Sequence, residues 1–213
     1  MSVDPALILH QWLSPAFPVG AFSYSHGFET AIADGAIDDA TTAQDWIDTA
    51  LTHGAGQSDA ILLAAAYRAE PDDLPALIAL ARALSPSAER LAETDRMGAA
   101  FAATIRALHG HDLPDAPYSV ALGRAARLSE LPLDLTVTLF LQAFVANLVS
   151  AAIRLVPLGQ TEGQGITLAL APQIASVATE AAPGDIDQIG SAAFALDLAS
   201  MQHETLPTRL FQS

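Results

Sequence analysis

The sequence predicts an all-α fold, a single compact multi-helix domain spanning residues 1–213 around a long buried central helix. Three observations carry that expectation. No stretch shows sustained alternation of β-branched residues, so strands have little to build on. Residues that start and stop helices recur along the whole chain. Hydrophobic residues make up 51% of the 213 positions against 15% charged, which supplies a large core and does not suit a disordered chain.

The elements follow in order. Asp4 before Pro5 reads as an N-cap with a first-turn proline, leading into Leu7, Ile8, Trp12 and Leu13. Two prolines and a glycine make Ser14–Gly20 a loop. A short helix is expected from about Tyr24 to Asp34, stopping at Gly35. Thr42 and Asp45 fit a capping box that opens a helix through Trp46, Ile47, Ala50 and Leu51. Asp59–Ala69 is the next, ended by Pro71, and Pro75 starts another. Ser85-Pro86 closes that one and opens a longer helix in which Met97, Phe101, Ile105 and Leu108 share a face. Gly110 ends it. Tyr118–Ser129 is helical, and Pro132 opens an apolar segment reaching Val156.

From Leu135 to Ile153 that segment carries no charge, which makes it the one transmembrane candidate. Its Thr136, Thr138, Gln142, Asn147 and Ser150, with no flanking aromatic belt, favour a buried central helix instead. Pro157–Gly165 reads as a glycine-rich loop. Two or three further helices follow, separated by Pro172 and Pro183-Gly184, and the last ends near His203. Residues 204–213 form a short tail.

Composition narrows the function. The formal net charge is −15, and all nine basic residues are arginine. Nucleic acid and anionic membrane surfaces would both repel such a chain. With no cysteine, disulfides, thiolate metal sites and cysteine nucleophiles are excluded. The N-terminal stretch lacks a basic region and carries Asp4 early, so the expected compartment is the cytoplasm.

Catalytic patterns are absent. His109 and His111 flank Gly110 at a helix end, a spacing unlike a helical zinc pair. Gln202-His203-Glu204 sets imidazole beside carboxylate but offers no third ligand. Gly159–Gly165 lacks the lysine and hydroxyl of a phosphate loop, and no GxSxG elbow occurs. Asp38-Asp39 and Asp72-Asp73 sit at helix starts, where capping explains them. The expectation is therefore no enzyme, no cofactor and no metal site. The alternatives are a helical enzyme using His26, Glu29 and His203, or a membrane protein built on Leu135–Ile153.

Three segments carry a family resemblance. The first is Leu13-Ser14-Pro15-Ala16-Phe17-Pro18-Val19-Gly20-Ala21-Phe22-Ser23-Tyr24-Ser25-His26-Gly27-Phe28-Glu29, similar to the SPxxPxGxFSYSxGLE signature of the UreF family. Pro157-Leu158-Gly159-Gln160-Thr161-Glu162-Gly163-Gln164 resembles that family's PLGQxxGQ segment. Met201-Gln202-His203-Glu204 through Arg209-Leu210-Phe211-Gln212-Ser213 resembles its MxHExxxxRLFxS ending. Phe28 stands where leucine is usual and Gln212 where arginine is common. The resemblance implies a helical, dimeric adaptor in urease maturation. It would bridge UreD (also called UreH) to the GTPase UreG on apo-urease, regulating GTP hydrolysis and nickel delivery. GTP and nickel would belong to UreG.

The residues give these segments physical readings. Prolines and glycines can hold Phe22, Tyr24, His26 and Glu29 at a defined surface suited to a partner. The alternative is a buried connection packed by Phe17 and Phe22. Gln160 and Gln164 would staple their loop internally or contact a partner. In the tail, Arg209, Leu210, Phe211 and Ser213, after His203, read as a segment that orders on binding UreD. Its alternative is a tail packed on its own domain.

Overall fold

The computed structural model describes residues 3–190 and 192–213; Met1 and Ser2 of the N-terminal stretch, and Ser191, lie outside the described residues. The described residues form eleven α-helices and three 3-10 turns, with no strand. The helices are α1 (Pro5–Trp12), α2 (Phe28–Ala33), α3 (Ala40–His53), α4 (Ala55–Arg68), α5 (Leu74–Ala83), α6 (Ala88–His109), α7 (Tyr118–Leu128), α8 (Leu133–Leu155), α9 (Gln160–Ala169), α10 (Ala171–Ala181) and α11 (Phe194–His203).

Local chemistry explains most boundaries. Asp4 caps α1 by accepting the Ala6 N–H at 2.9 Å, with Pro5 at the first helical position. Gly110, at φ 69°, stops α6 as expected. The capping box of α3 is shifted from its expected place: Asp39 is the N-cap, accepting the Thr42 N–H at 2.8 Å, and Thr42 answers from the third helical position. Those Thr42 hydrogen bonds hold the Asp39 carboxyl below the usual carboxylate range.

Other differences have physical causes. Tyr24–Gly27 is not helical, because Tyr24 is extended while His26 and Gly27 take positive φ; α2 starts only at Phe28. The helix expected from Asp59 begins at Ala55, right after Gly54. Leu108 shares the phase of Met97, Phe101 and Ile105 but stays 61% exposed near the end of α6.

The largest difference is at residues 157–165. Only residues 156–159 connect the two helices α8 and α9, and α9 begins at Gln160, its start closed by the Glu162 carboxylate accepting the Gly159 N–H at 2.8 Å. One of its glycines, Gly163, serves packing. A Cβ on Gly163 would lie 2.4 Å from Ile153 Cδ1, so the bare backbone lets α9 lie tight on α8.

One contiguous core joins these helices. A chain of aromatic contacts runs through it: Trp12 on α1 meets Phe101 on α6 edge-on at 5.6 Å, Phe101 meets Tyr118 on α7 at 5.6 Å, and Tyr118 meets Phe140 on α8 at 6.3 Å. Each such pair adds about 0.5–1.5 kcal/mol beyond the area it buries. Helix α8 packs against α3, α4, α9 and α10, as expected of a central helix. Among the described residues it alone is long and apolar enough to cross a membrane, but half of its most apolar window is buried within the molecule. A span would face lipid on most sides, so this is a core helix.

A candidate partner-binding face

The first and third sequence motifs, far apart along the chain, meet on one face. Gly27 makes this possible. Its φ of 76° suits glycine, and a Cβ there would lie 2.7 Å from the Ser200 backbone nitrogen, so the segment before α2 can lie directly on α11. That contact sets residues 23–29 beside the tail.

Main-chain bonds then join the two. The Gln212 N–H donates to the Ser23 carbonyl at 2.8 Å, and the Ser25 N–H donates to the main-chain oxygen of Ser213 at 2.7 Å. The Ser25 hydroxyl donates to that same oxygen at 2.7 Å. Glu29 clamps the tail from below. One of its oxygens accepts the Leu210 N–H at 2.8 Å and the other accepts the Phe211 N–H at 3.1 Å. His203, wholly buried, sits between two carboxylates, with Nε2 3.3 Å from Glu29 and Nδ1 2.6 Å from Glu89. Glu89 also pairs with Arg209. The Phe211 ring is buried under the Arg154 guanidinium, 4.9 Å from the ring centroid.

The tail thus packs on its own chain, the second of the two readings its sequence allows. The reason is a set of acceptors on α2 and α6 that its backbone and Arg209 can satisfy. What faces outward is the remainder: Arg209, Gln212 and Leu210, the last 76% exposed. A groove of about 500 Å³ runs beside them, lined by Tyr24, Glu89, Arg96, Arg209, Phe211 and Gln212.

Beneath lies a buried ionic cluster. Arg90 and Glu93, one helical turn apart on α6, pair directly. His26 Nε2 is 2.9 Å from Arg90 and 3.0 Å from Glu93, while the Ser213 hydroxyl donates to Glu93 at 2.6 Å. Burial alone would push the Glu93 carboxyl up, but Arg90 and His26 outweigh it and hold Glu93 at about 2. Burial of Asp59 pushes its carboxyl up and outweighs the opposing pull of Arg90 at 3.9 Å and of the Ser119 hydrogen bond. Tyr24 is pushed up by burial and by the Glu93 charge.

Tyr24, His26, Glu29, His203, Arg209, Leu210, Phe211 and Ser213 therefore belong to one network or its rim, and Phe22, 60% exposed, lies at its edge. Gln160 and Gln164 do not join it. Both are exposed on α9 and make no side-chain hydrogen bond among the described residues, so the expected internal stapling is absent: a helix already satisfies its own backbone. Sequence reading missed Ser25, Asp59, Glu89, Arg90 and Glu93. A signal existed for two of them, since Arg90 and Glu93 continue the helical phase of Met97 and Phe101, placing charge on the core-facing side. Among the described residues no three histidine or acidic side chains form a metal cage.

Comparison with known proteins completes the assignment. Residues 37–171 match the model of the UreF family. The urease accessory protein UreF of Cereibacter sphaeroides strain KD131 is 58% identical over 207 residues, covering 97% of this chain and 98% of that one. Its counterparts from Roseobacter denitrificans, 53% identical over 213 residues (100% of this chain, 96% of that one), and Ruegeria sp. strain TM1040, 50% identical over 214 residues (100% of both), are similar along their lengths. The chain belongs to the UreF family of urease accessory proteins.

Proposed function

We propose that the chain is a non-catalytic adaptor of urease maturation, a single-domain cytoplasmic protein that acts as a homodimer. It bridges UreD (UreH) and the GTPase UreG, and it regulates GTP hydrolysis and nickel insertion into apo-urease. GTP and nickel are handled by UreG. The observation that carries this reading is the docked tail. Glu29 holds its backbone while Leu210 stays exposed and Arg209 faces the groove. A segment docked by backbone hydrogen bonds with an apolar and a cationic side chain outward presents them already placed for a partner, and so avoids part of the entropy cost of association.

Within that reading the site residues divide by role. Phe22, Arg209 and Leu210 touch the partner, and Gln160 and Gln164 offer a separate exposed face on α9. Tyr24, His26, Glu29, His203, Phe211 and Ser213 are positioning residues that keep the tail in place. The test is co-expression of the tagged chain with UreD and UreG, with mass measured by light scattering. A ternary complex containing this chain as a dimer is the expected result. Deleting residues 209–213 is expected to abolish UreD binding while leaving the dimer intact. A folded chain that never binds UreD overturns the reading, and retained binding after truncation removes the tail from it.

A further inference from the structure

Next to the tail network, between the 13–26 segment, α6, α7 and α8, lies a cavity of about 210 Å³. Its walls are aromatic: Trp12, Phe22, Tyr118, Phe140 and Phe144 all line it, and the His26 ring stands edge-on to Phe144 at 5.3 Å. On α8 the rim is built from small side chains, Ala143, Ala146 and Ser150, which leave room for an entering group. The floor is ionic, formed by Asp59, Arg90 and Glu93 with His26.

Two carboxylates, Asp59 and Glu93, share that floor with the Arg90 guanidinium and the His26 imidazole. Glu93 is satisfied by Arg90, His26 and Ser213. Asp59, with only 24% of its side chain exposed, holds the Ser119 hydroxyl at 3.1 Å, and its nearest cation stands off at 3.9 Å. A carboxylate at the bottom of a pocket with aromatic walls is the arrangement that recognises an alkyl cation, since ring faces and a carboxylate both attract positive charge.

We propose that this cavity receives an arginine or lysine side chain of a partner protein, its stem among Phe22, Phe140 and Phe144 and its cationic head toward Asp59. The chain itself has no lysine and a net charge of −15, so its surface draws basic partners toward this opening. The proposal rests on the adaptor reading only for which molecule presents the side chain. Because a proton and the cation compete for Asp59, which burial already pushes up, occupancy falls as pH is lowered. Arg90, Glu93, His26 and Ser119 are the groups that face Asp59 and set where that happens.

The test is an NMR titration of the isolated full chain with n-butylguanidinium, and with n-butylsulfonate as the anionic match. The Trp12 indole and Asn147 side-chain amide signals are the reporters. Saturable shifts with the guanidinium alone are expected, with affinity falling at least tenfold in Asp59→Asn and weakening toward low pH. Phe22→Ala, at an exposed position, keeps the test interpretable if Asp59→Asn fails to fold: it is expected to weaken the same binding several-fold without changing the fold. Equal or tighter binding of the sulfonate, no saturable shift with either compound, or unchanged affinity in the variants overturns the proposal. Co-purification with UreD and UreG is scored separately, so failure of the probe and failure of the adaptor reading are distinguishable.

Discussion

Glu29 on α2 accepts the backbone N–H of Leu210 at 2.8 Å, joining positions 181 residues apart through one carboxylate oxygen. Its second oxygen accepts the neighbouring Phe211 N–H and faces His203. A carboxylate has acceptors on both oxygens, which is what two successive N–H groups and an imidazole require. Glu29→Gln keeps the shape but offers one acceptor oxygen and two unwanted donors. The variant is expected to lose about 1–3 kcal/mol of tail docking, read as faster hydrogen exchange at Leu210 and Phe211. Protection equal to the parent chain would show that Glu29 does not hold the tail.

Phe22 and Tyr24 lie two residues apart and are expected to respond in opposite ways. Phe22 is 60% exposed, whereas Tyr24 is buried and bonded through its carbonyl to Asn147 at 3.3 Å. Phe22→Ala should leave stability within about 0.5 kcal/mol of the parent while weakening partner binding. Tyr24→Ala should cost about 3–5 kcal/mol, as truncation of a buried aromatic ring does. Paired melting and co-purification measurements on the two variants check this.

The acid limb of stability should carry the signature of Glu93. Its carboxyl titrates near 2 in the folded chain against 4.5 for the free group. A depressed folded value means the stabilisation is present above 4.5 and is lost as pH falls toward 2. The amount is on the order of 3 kcal/mol. Glu93→Gln should flatten the pH dependence of the melting temperature in that window, and it should lower stability at neutral pH by about 3–5 kcal/mol, because the buried Arg90 loses its closest counterion. An unchanged acid slope would show that other carboxylates govern acid unfolding.

Gly27→Ala should cost about 2–5 kcal/mol. The positive φ is unfavourable to any Cβ, and the new methyl meets the Ser200 backbone, which cannot rotate away as a side-chain end can. Thermal or urea denaturation of the variant measures the loss.

How much of this was legible in the sequence follows from the range of each interaction. Capping and helix-stopping residues act within four positions, so α1, α5, α6, α7 and α8 came out close to their expected bounds. The Pro157–Gly165 segment misled because glycine is ambiguous: the same residue permits a turn or a tight helix contact, and only Ile153 across the interface decides. The tail network was illegible for a different reason. Glu29, Glu89 and His203 become partners only once α2, α6 and α11 are packed, and nothing local marks Glu89 as the counterion of Arg209. The motifs did place Tyr24, His26, Glu29, His203 and Arg209 among the residues to watch. They could not tell those that brace the tail from those that stay exposed.

The bonds from Ser23 and Ser25 to residues 212 and 213 also impose an order in time. Residues 204–213 leave the ribosome after every residue they contact, since synthesis runs from the N-terminus at about 5–20 residues per second. The helices can therefore collapse while the cradle on α2 and α6 is still empty, and the completed face exists only on chains translated through Ser213. A protein that recognises the docked tail would in effect discriminate against copies whose synthesis has not reached Ser213.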